Sequence, residues 1–551
     1  MSTQQNDALP TIDLVRVGAG AARDGDATCP SSLRWKTRPM SRAVGRFPKE
    51  QLDDFVLRPV MAALDRVEFG GEVPDEAFSI IQGDGGPVHP GVNRFAEHAV
   101  QVYLTAMPSL GPVPLRPVRE LWVAQRVLPS VVWELYAWGR RYESVDGGLR
   151  EFRFLRLGPA RERSPAEVAI AAYAAAFGTP AEFPDPWSEP FRPFGRTGAE
   201  RVRVLEVGLV DGSVKPLLDC TAKEVEEYFA ERGRARVVDI ARGEDLVPGF
   251  GCGDCKRVAV CRGPVRMPGL LGVESGQGAL RTVSVSGLRY YRKCPAQAYL
   301  RTVHLPRAYE YSAEAELGHA VHGWLETAHQ GQGNACSPDT MPPVTVPVAD
   351  AAWSAGKWRV TGEFANVGAR MLAYHVEICP FRDAPEIDSV RVEPQLTFFD
   401  TVARAVVVAK PDLIYRERGQ WVWRELKTTQ KARWYYTDPL EGFPQLALAV
   451  AVLAAGGLGP GGAGRVELEI LRPSGAEIVV IDPTEEERVQ TARRVLREWA
   501  APWRSDHVFE ARPGRNCRGC PVSVWCPSYP GPDPDEKEDE TSAASRTATE
   551  G

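Results

Sequence analysis

The chain has 551 residues, more than one ordinary core accommodates, and this length predicts two to four domains. With 44% hydrophobic and 25% charged residues it reads as globular, and no apolar run approaches the roughly 20 residues that span a bilayer. The opening MSTQQNDALPTIDLV lacks the basic-then-apolar order of a secretion signal. A cytoplasmic location is the expectation, and metal is then a better explanation than disulfides for eleven cysteines. Net charge is −6, but the stretch from Asp533 onward holds seven acids against Lys537 and Arg546, which leaves the body near −1. A near-neutral body excludes a broad basic face and predicts a local channel, or a partner, for holding a polyanion.

Taken in order, the first landmark is Cys29 in ATCPSSLRWKT. VRVLEVGLVDGSVKPLLDCTAKEVEEYF follows with the pattern strand, turn, strand, helix. Cys252, Cys255 and Cys261 come next, spaced C-x2-C-x5-C. The Gly-rich MPGLLGVESGQGAL predicts a boundary ahead of a helix start at Ser286. A helix over about 287 to 299 contains Cys294 or kinks at Pro295, and a second covers about 313 to 328. VEPQLTFFD, VARAVVVAKPDLIYRE and QWVWRELKT are β-branched and aromatic, hence strands, and PQLALAVAVLAA is a helix. VELEILRPSGAEIVVIDPTEEERVQTA repeats the strand, turn, strand, helix order, and Cys517, Cys520 and Cys526 repeat C-x2-C-x5-C.

Cys29 and Cys294 are both followed by proline, and each lies 223 residues before the first cysteine of its triplet. Several landmarks recurring in one order predict a tandem duplication rather than two unrelated cysteine modules. The expected division is 1–270, 271–527 and an acidic tail, 528–551, too polar to offset its ordering entropy and so expected to be disordered. The fold class is α/β with a mixed sheet.

The segment KPDLIYRERGQWVWRELKTT predicts a hairpin turning at Arg418-Gly419, so Glu417 faces Gln420 and Asp412 faces Glu425. Like charges across a ladder repel, which points to a cation between them or to a solvated face with Lys427 as ion-pair partner. Lys427, two residues past Glu425, shares its face. Two carboxylates suit Mg2+ or Mn2+, and Lys427 suits holding an attacking water or screening charge on a phosphodiester. Upstream, Gly318 and His322 form G-x-x-x-H on a helix. His322 would be a further ligand and would tilt the preference toward manganese, with His319 one turn away as its rival.

G-x-x-x-H, then Pro411-Asp412, then Glu425-x-Lys427-Thr428, then Gln445, then C-x2-C-x5-C resembles the RecB-like branch of the PD-(D/E)XK nucleases over roughly Val285 to Pro527. Similar layouts occur in the AddB nuclease subunit and in CRISPR-adaptation nucleases. The resemblance implies tandem restriction-endonuclease-like domains and a catalytic set of His322, Asp412, Glu425, Lys427 and Gln445, with His322, Asp412 and Glu425 on the divalent metal. It also implies a 4Fe-4S cluster on Cys294, Cys517, Cys520 and Cys526, for which zinc is the alternative. Where the family commonly reads Q-x-x-x-Y, Gln445 is followed by Ala449. Laid over the second half, the first places Met61 opposite His322, Arg141 opposite Asp412, Phe154 opposite Glu425 and Arg156 opposite Lys427, which predicts a copy without catalysis. Its Cys29, Cys252, Cys255 and Cys261 would hold a second cluster or zinc. The implied activity is DNA hydrolysis on single strands or ends, in repair, recombination or defence against foreign DNA. No P-loop motif occurs, so a separate helicase is the expected partner. The competing expectation is a non-catalytic iron-sulfur or zinc DNA-binding scaffold.

Overall fold

The computed structural model describes residues 13–531, apart from 24–27, 42, 45–46, 53, 79–86, 108–113, 197, 309–311, 331–334, 383–385 and 432–437. The expected acidic tail lies outside the described residues from 532 onward. The architecture is mixed α/β, built on mixed sheets flanked by helices.

The first half opens with β1 (Asp13–Gly18), α1 (Pro30–Lys36), α2 (Leu57–Gly70) and α3 (Pro90–Ala106). Strands β2 (Leu115–Pro117), β3 (Leu121–Val127), β4 (Val131–Tyr136), β5 (Arg140–Ser144) and β6 (Leu149–Arg156) follow, then helix α4 (Pro165–Phe177) and β7 (Thr179–Ala181). The hairpin β8 (Arg201–Gly208) and β9 (Val214–Thr221) leads into α5 (Ala222–Arg232) and α6 (Arg234–Arg242). Five strands form one sheet in the order β2-β5-β6-β8-β9, in which only β6 and β8 run parallel. A parallel pair needs a long crossover, and α4 supplies it.

The second half contains β10 (Val265–Arg266), β11 (Arg281–Ser284), α7 (Val285–Lys293), α8 (Pro295–Thr302) and α9 (Ala313–His329). The small hairpin β12 (Ala352–Ala355) and β13 (Trp358–Thr361) and helix α10 (Gly362–Ile378) precede β14 (Ile387–Val392), β15 (Leu396–Asp400) and β16 (Ala405–Ala409). Strands β17 (Leu413–Glu417) and β18 (Gln420–Thr428), helix α11 (Pro444–Ala454), β19 (Gly462–Arg472), β20 (Gly475–Ile481) and α12 (Glu486–Ser505) complete it. Its five-stranded sheet, β14-β17-β18-β19-β20, again has one parallel pair, β18 with β19, bridged by α11. Residues 421–426 of β18 are all buried, because α11 covers one face and α9 with α10 the other. Such strands read as continuous apolar runs.

Two expectations are refined. The run 402–417 is two strands in two different sheets, since Lys410-Pro411 interrupts it. The helix expected over 287–299 is two helices meeting at Cys294, whose backbone is extended (φ −161°, ψ 116°). Its start is set by Ser284, whose hydroxyl accepts the Gly287 N–H at 3.1 Å. Residues 265–271, astride the expected boundary, pack with the second half: β10 pairs with β15, and the Asp400 carboxylate accepts the N–H groups of Gly269 and Leu271.

Candidate active site

The hairpin between β17 and β18 turns at Arg418 (φ +48°) and Gly419 (φ +78°), the two left-handed residues of the tight turn that suits twisted strands. Its register runs from Glu417 opposite Gln420 to Leu413 opposite Arg424. One step further the chains part. Asp412 no longer pairs through its backbone with β18, and its Oδ2 accepts the Leu426 N–H at 2.7 Å. The side chain thereby caps the end of the ladder next to Glu425.

Helix α9 brings His322 to the same point, with Nδ1 2.9 Å from Asp412 Oδ1. Gly318 eases the approach: a Cβ there would lie 3.1 Å from Thr428 Oγ1, a tight contact that the threonine side chain or the helix would have to relieve by a few tenths of an ångström. His322 follows one turn later on the same side. His319, the rival, stacks on Trp358 with ring centroids 4.3 Å apart, where burial lowers its pKa.

Lys427 Nζ stands 3.6 Å from Glu425 Oε2 and 4.0 Å from Asp412 Oδ2, and donates to the Leu426 carbonyl at 2.6 Å. Trp423 Nε1 donates to Glu425 Oε1 at 3.0 Å, which leaves Oε2 turned toward the lysine. Burial works against charge on Asp412, but His322, Lys427 and the Leu426 N–H outweigh it and bring the carboxyl down to about 2. Burial dominates at Glu425 and pushes it up to about 7; the Asp412 charge adds to this, and Lys427 and Trp423 offset it only in part. Two adjacent carboxylates driven apart in this way form a site short of positive charge.

Gln445, the remaining member of the expected set, sits in the first turn of α11, and its Oε1 accepts from Arg289 Nη2 at 3.2 Å. In the first half, Arg141 is buried and donates to the Gly139 and Arg119 carbonyls at 3.0 and 2.8 Å. Phe154 packs in the core against Phe152, Arg156 reaches Glu206 at 4.0 Å, and Met61 packs beside Val60 and Phe95.

Cys294, Cys517, Cys520 and Cys526 line one cavity, with Gln297, Leu300 and Val522 among its walls. Burial, then the neighbouring thiols, push Cys520 and Cys526 up. Cys29, Cys252, Cys255 and Cys261 line a second cavity, where burial raises Cys252. Backbone N–H groups point at sulfur in both: Arg512 at Cys294 Sγ (3.3 Å), Gly249 at Cys252 Sγ (3.4 Å) and Gly263 at Cys261 Sγ (3.3 Å). Such donors stabilise thiolates and suit metal-bound sulfur.

One group escaped the sequence reading. His329, Cys336, His375 and Cys379 are all buried, and their ligating atoms lie within 4.8 Å of one another. The available signal was His375 and Cys379 at i and i+4, one helical turn apart.

The family model described as the PD-(D/E)XK nuclease superfamily matches residues 282–527. No curated protein matches the chain. A solved structure described as the crystal structure of SSO0001 is 15% identical, covers 46% of this chain and 88% of its own, and superposes with a TM-score of 0.24, too loosely to carry an argument. The matched span contains His322, Asp412, Glu425, Lys427 and the Cys294 quartet. Residues 282–527 thus constitute a PD-(D/E)XK nuclease superfamily domain.

Proposed function

We propose that this domain hydrolyses DNA phosphodiesters with Mg2+ or Mn2+, on single strands or ends. The carrying observation is the convergence of Asp412, Glu425 and Lys427 at the end of the β17–β18 hairpin, with His322 against Asp412. The donor set fits a hard divalent ion: two carboxylates share one patch, and the buried Glu425 lacks a full countercharge. Asp412 and Glu425 would hold the ion, with His322 beside them, and when bound it neutralises developing charge and acidifies water.

The chain's own groups do the rest. His322 and the Leu426 N–H fix both oxygens of Asp412, and Trp423 fixes one oxygen of Glu425. Lys427, within 4.0 Å of both carboxylates, is placed to position the attacking water and to screen the phosphorane-like charge. Asp412→Ala and Lys427→Ala are each expected to lower manganese-dependent oligonucleotide degradation by about 100-fold or more. Equal activity in the wild type and both variants would favour the DNA-binding scaffold instead.

The cysteine cavities support a 4Fe-4S cluster on Cys294, Cys517, Cys520 and Cys526 as a staple between α7–α8 and the segment that follows α12, with a second cluster or zinc on Cys29, Cys252, Cys255 and Cys261. We read residues 1–270 as a copy that has lost catalysis: with Phe154 and Arg156 at the Glu425 and Lys427 positions, the register that sets Arg140 opposite Arg153 puts Gly139, and not the expected Arg141, at the Asp412 position, so no carboxylate remains. Repair, recombination or defence beside a helicase is the setting that this chemistry suits.

A further inference from the structure

Helices α9 and α10 end on four side chains for which the carboxylate site has no use. His329 is the last residue of α9, Cys336 lies in the segment after it, His375 is in the last turn of α10 and Cys379 follows that helix. Their exposures are 6%, 8%, 1% and 5%. His329 Nε2 lies 3.2 Å from His375 Nε2, 3.4 Å from Cys336 Sγ and 3.9 Å from Cys379 Sγ.

Hydrogen bonding alone satisfies this cluster poorly. His375 Nδ1 is 2.5 Å from Glu469 Oε1 and must donate there, so in the neutral ring Nε2 has only a lone pair to offer. A single N–H on His329 Nε2 can serve one of its three neighbours. A cation at the centre serves all four. The separations also match a coordination shell: with bonds of about 2.0–2.1 Å to nitrogen and 2.3 Å to sulfur, tetrahedral edges run from about 3.3 to about 3.8 Å.

We propose that His329, Cys336, His375 and Cys379 bind one structural zinc ion, separate from the divalent ion of the carboxylate site. Two thiolates cancel the ion's charge, which makes the assembly compatible with burial. Two sulfurs and two imidazoles select zinc over magnesium or manganese, so the two sites sort their metals by donor chemistry. The surroundings are those of a ligated histidine: Glu469, itself held by Arg424 Nε at 2.9 Å, orients the His375 ring, and the Cys336 N–H points at Cys379 Sγ at 3.5 Å. Four protein ligands close the shell, so the role is mechanical. The ion clamps the ends of α9 and α10 together, and His329 lies seven residues, or two turns, beyond His322 on α9. One cavity runs between the sites, lined by His322 and Asp412 at one end and His329 and His375 at the other.

Metal analysis of the full-length protein tests this. The wild type is expected to carry one zinc equivalent more than Cys379→Ala, and Cys379→His, which restores a ligand, is expected to recover it. Equal zinc in wild type and Cys379→Ala overturns the site. Should Cys379→Ala not fold, alkylation of the native wild type, mapped by peptide mass spectrometry, decides. Cys336 and Cys379 are expected to resist until a strong zinc chelator is added, and labelling that the chelator does not change overturns the proposal. Neither readout depends on nuclease activity.

Discussion

Glu425 is a carboxylate held where charge is costly. Its neighbour Asp412, one strand away, is half-buried and held by His322, Lys427 and a backbone N–H, so it stays ionised; Glu425 has a tryptophan N–H and part of a lysine. Without a divalent ion, Glu425 binds its proton more tightly folded than unfolded, because its pKa of about 7 exceeds the unfolded value. The stability this contributes is complete below the unfolded value, near 4.3, and is lost as pH rises through about 7. Glu425→Gln keeps the shape and an oxygen for Trp423 but cannot ionise. In chelator at pH 8 the variant is expected to be more stable than the wild type by on the order of 1–3 kcal/mol, with a clearly smaller gain at pH 5. Thermal melts at the two pH values check this. The same variant is expected to lose DNA cleavage, and a wild type that equals it in stability at pH 8 would contradict the desolvation argument.

At the scale of elements, the break between α7 and α8 shows a local rule serving a site. A residue before proline avoids the helical region, so Pro295 holds Cys294 extended and turns its sulfur out of a path that would otherwise continue as helix. Pro295→Ala is expected to let the helix run through Cys294 and to weaken that cysteine's quartet, read as partial loss of metal with Cys517, Cys520 and Cys526 intact; full retention would show that tertiary packing alone sets the bend. The break was legible in the sequence, as was the hairpin, because proline and the Arg418-Gly419 turn act over two or three residues. Gly318 was legible as a spacing, but its reason, contact with Thr428, was not. The split of 402–417 between two sheets was hidden, since β-branched residues suit either sheet equally. The buried His329, Cys336, His375 and Cys379 were hidden for a related reason: helix α10 carries His375 to His329 across more than forty residues of chain, and no local pattern encodes that meeting.

Across the whole molecule, the cysteine triplets lean on the opposite halves. Cys252 and Val258 pack with Phe399, Val406 and Val408 of the second half, while Val522 and Trp525 pack with Val60, Phe95 and Tyr103 of the first. Gly91, where a Cβ would meet Leu300 at 2.9 Å and the Trp525 carbonyl at 3.0 Å, permits that second contact. Beside it His89 ties the halves together. Its Nδ1 accepts the Gly91 N–H at 3.0 Å, its Nε2 donates to the Phe509 carbonyl at 3.1 Å, and its ring stacks on Tyr299. These bonds require the neutral ring, and burial lowers its pKa, although Phe509 and Asp506 oppose the shift. The unfolded chain therefore takes up a proton near pH 6.5 before the folded protein does, so stability is present above that value and is lost as pH falls below it. Asparagine at 89 can still cap α3 but neither titrates nor reaches Phe509. His89→Asn is expected to cost about 1 kcal/mol at pH 7.5, the net worth of one hydrogen bond, and to lose less stability than the wild type on acidification to pH 5.5. Parallel melting curves for the two proteins across that range would mean that His89 does not govern how the junction responds to acid.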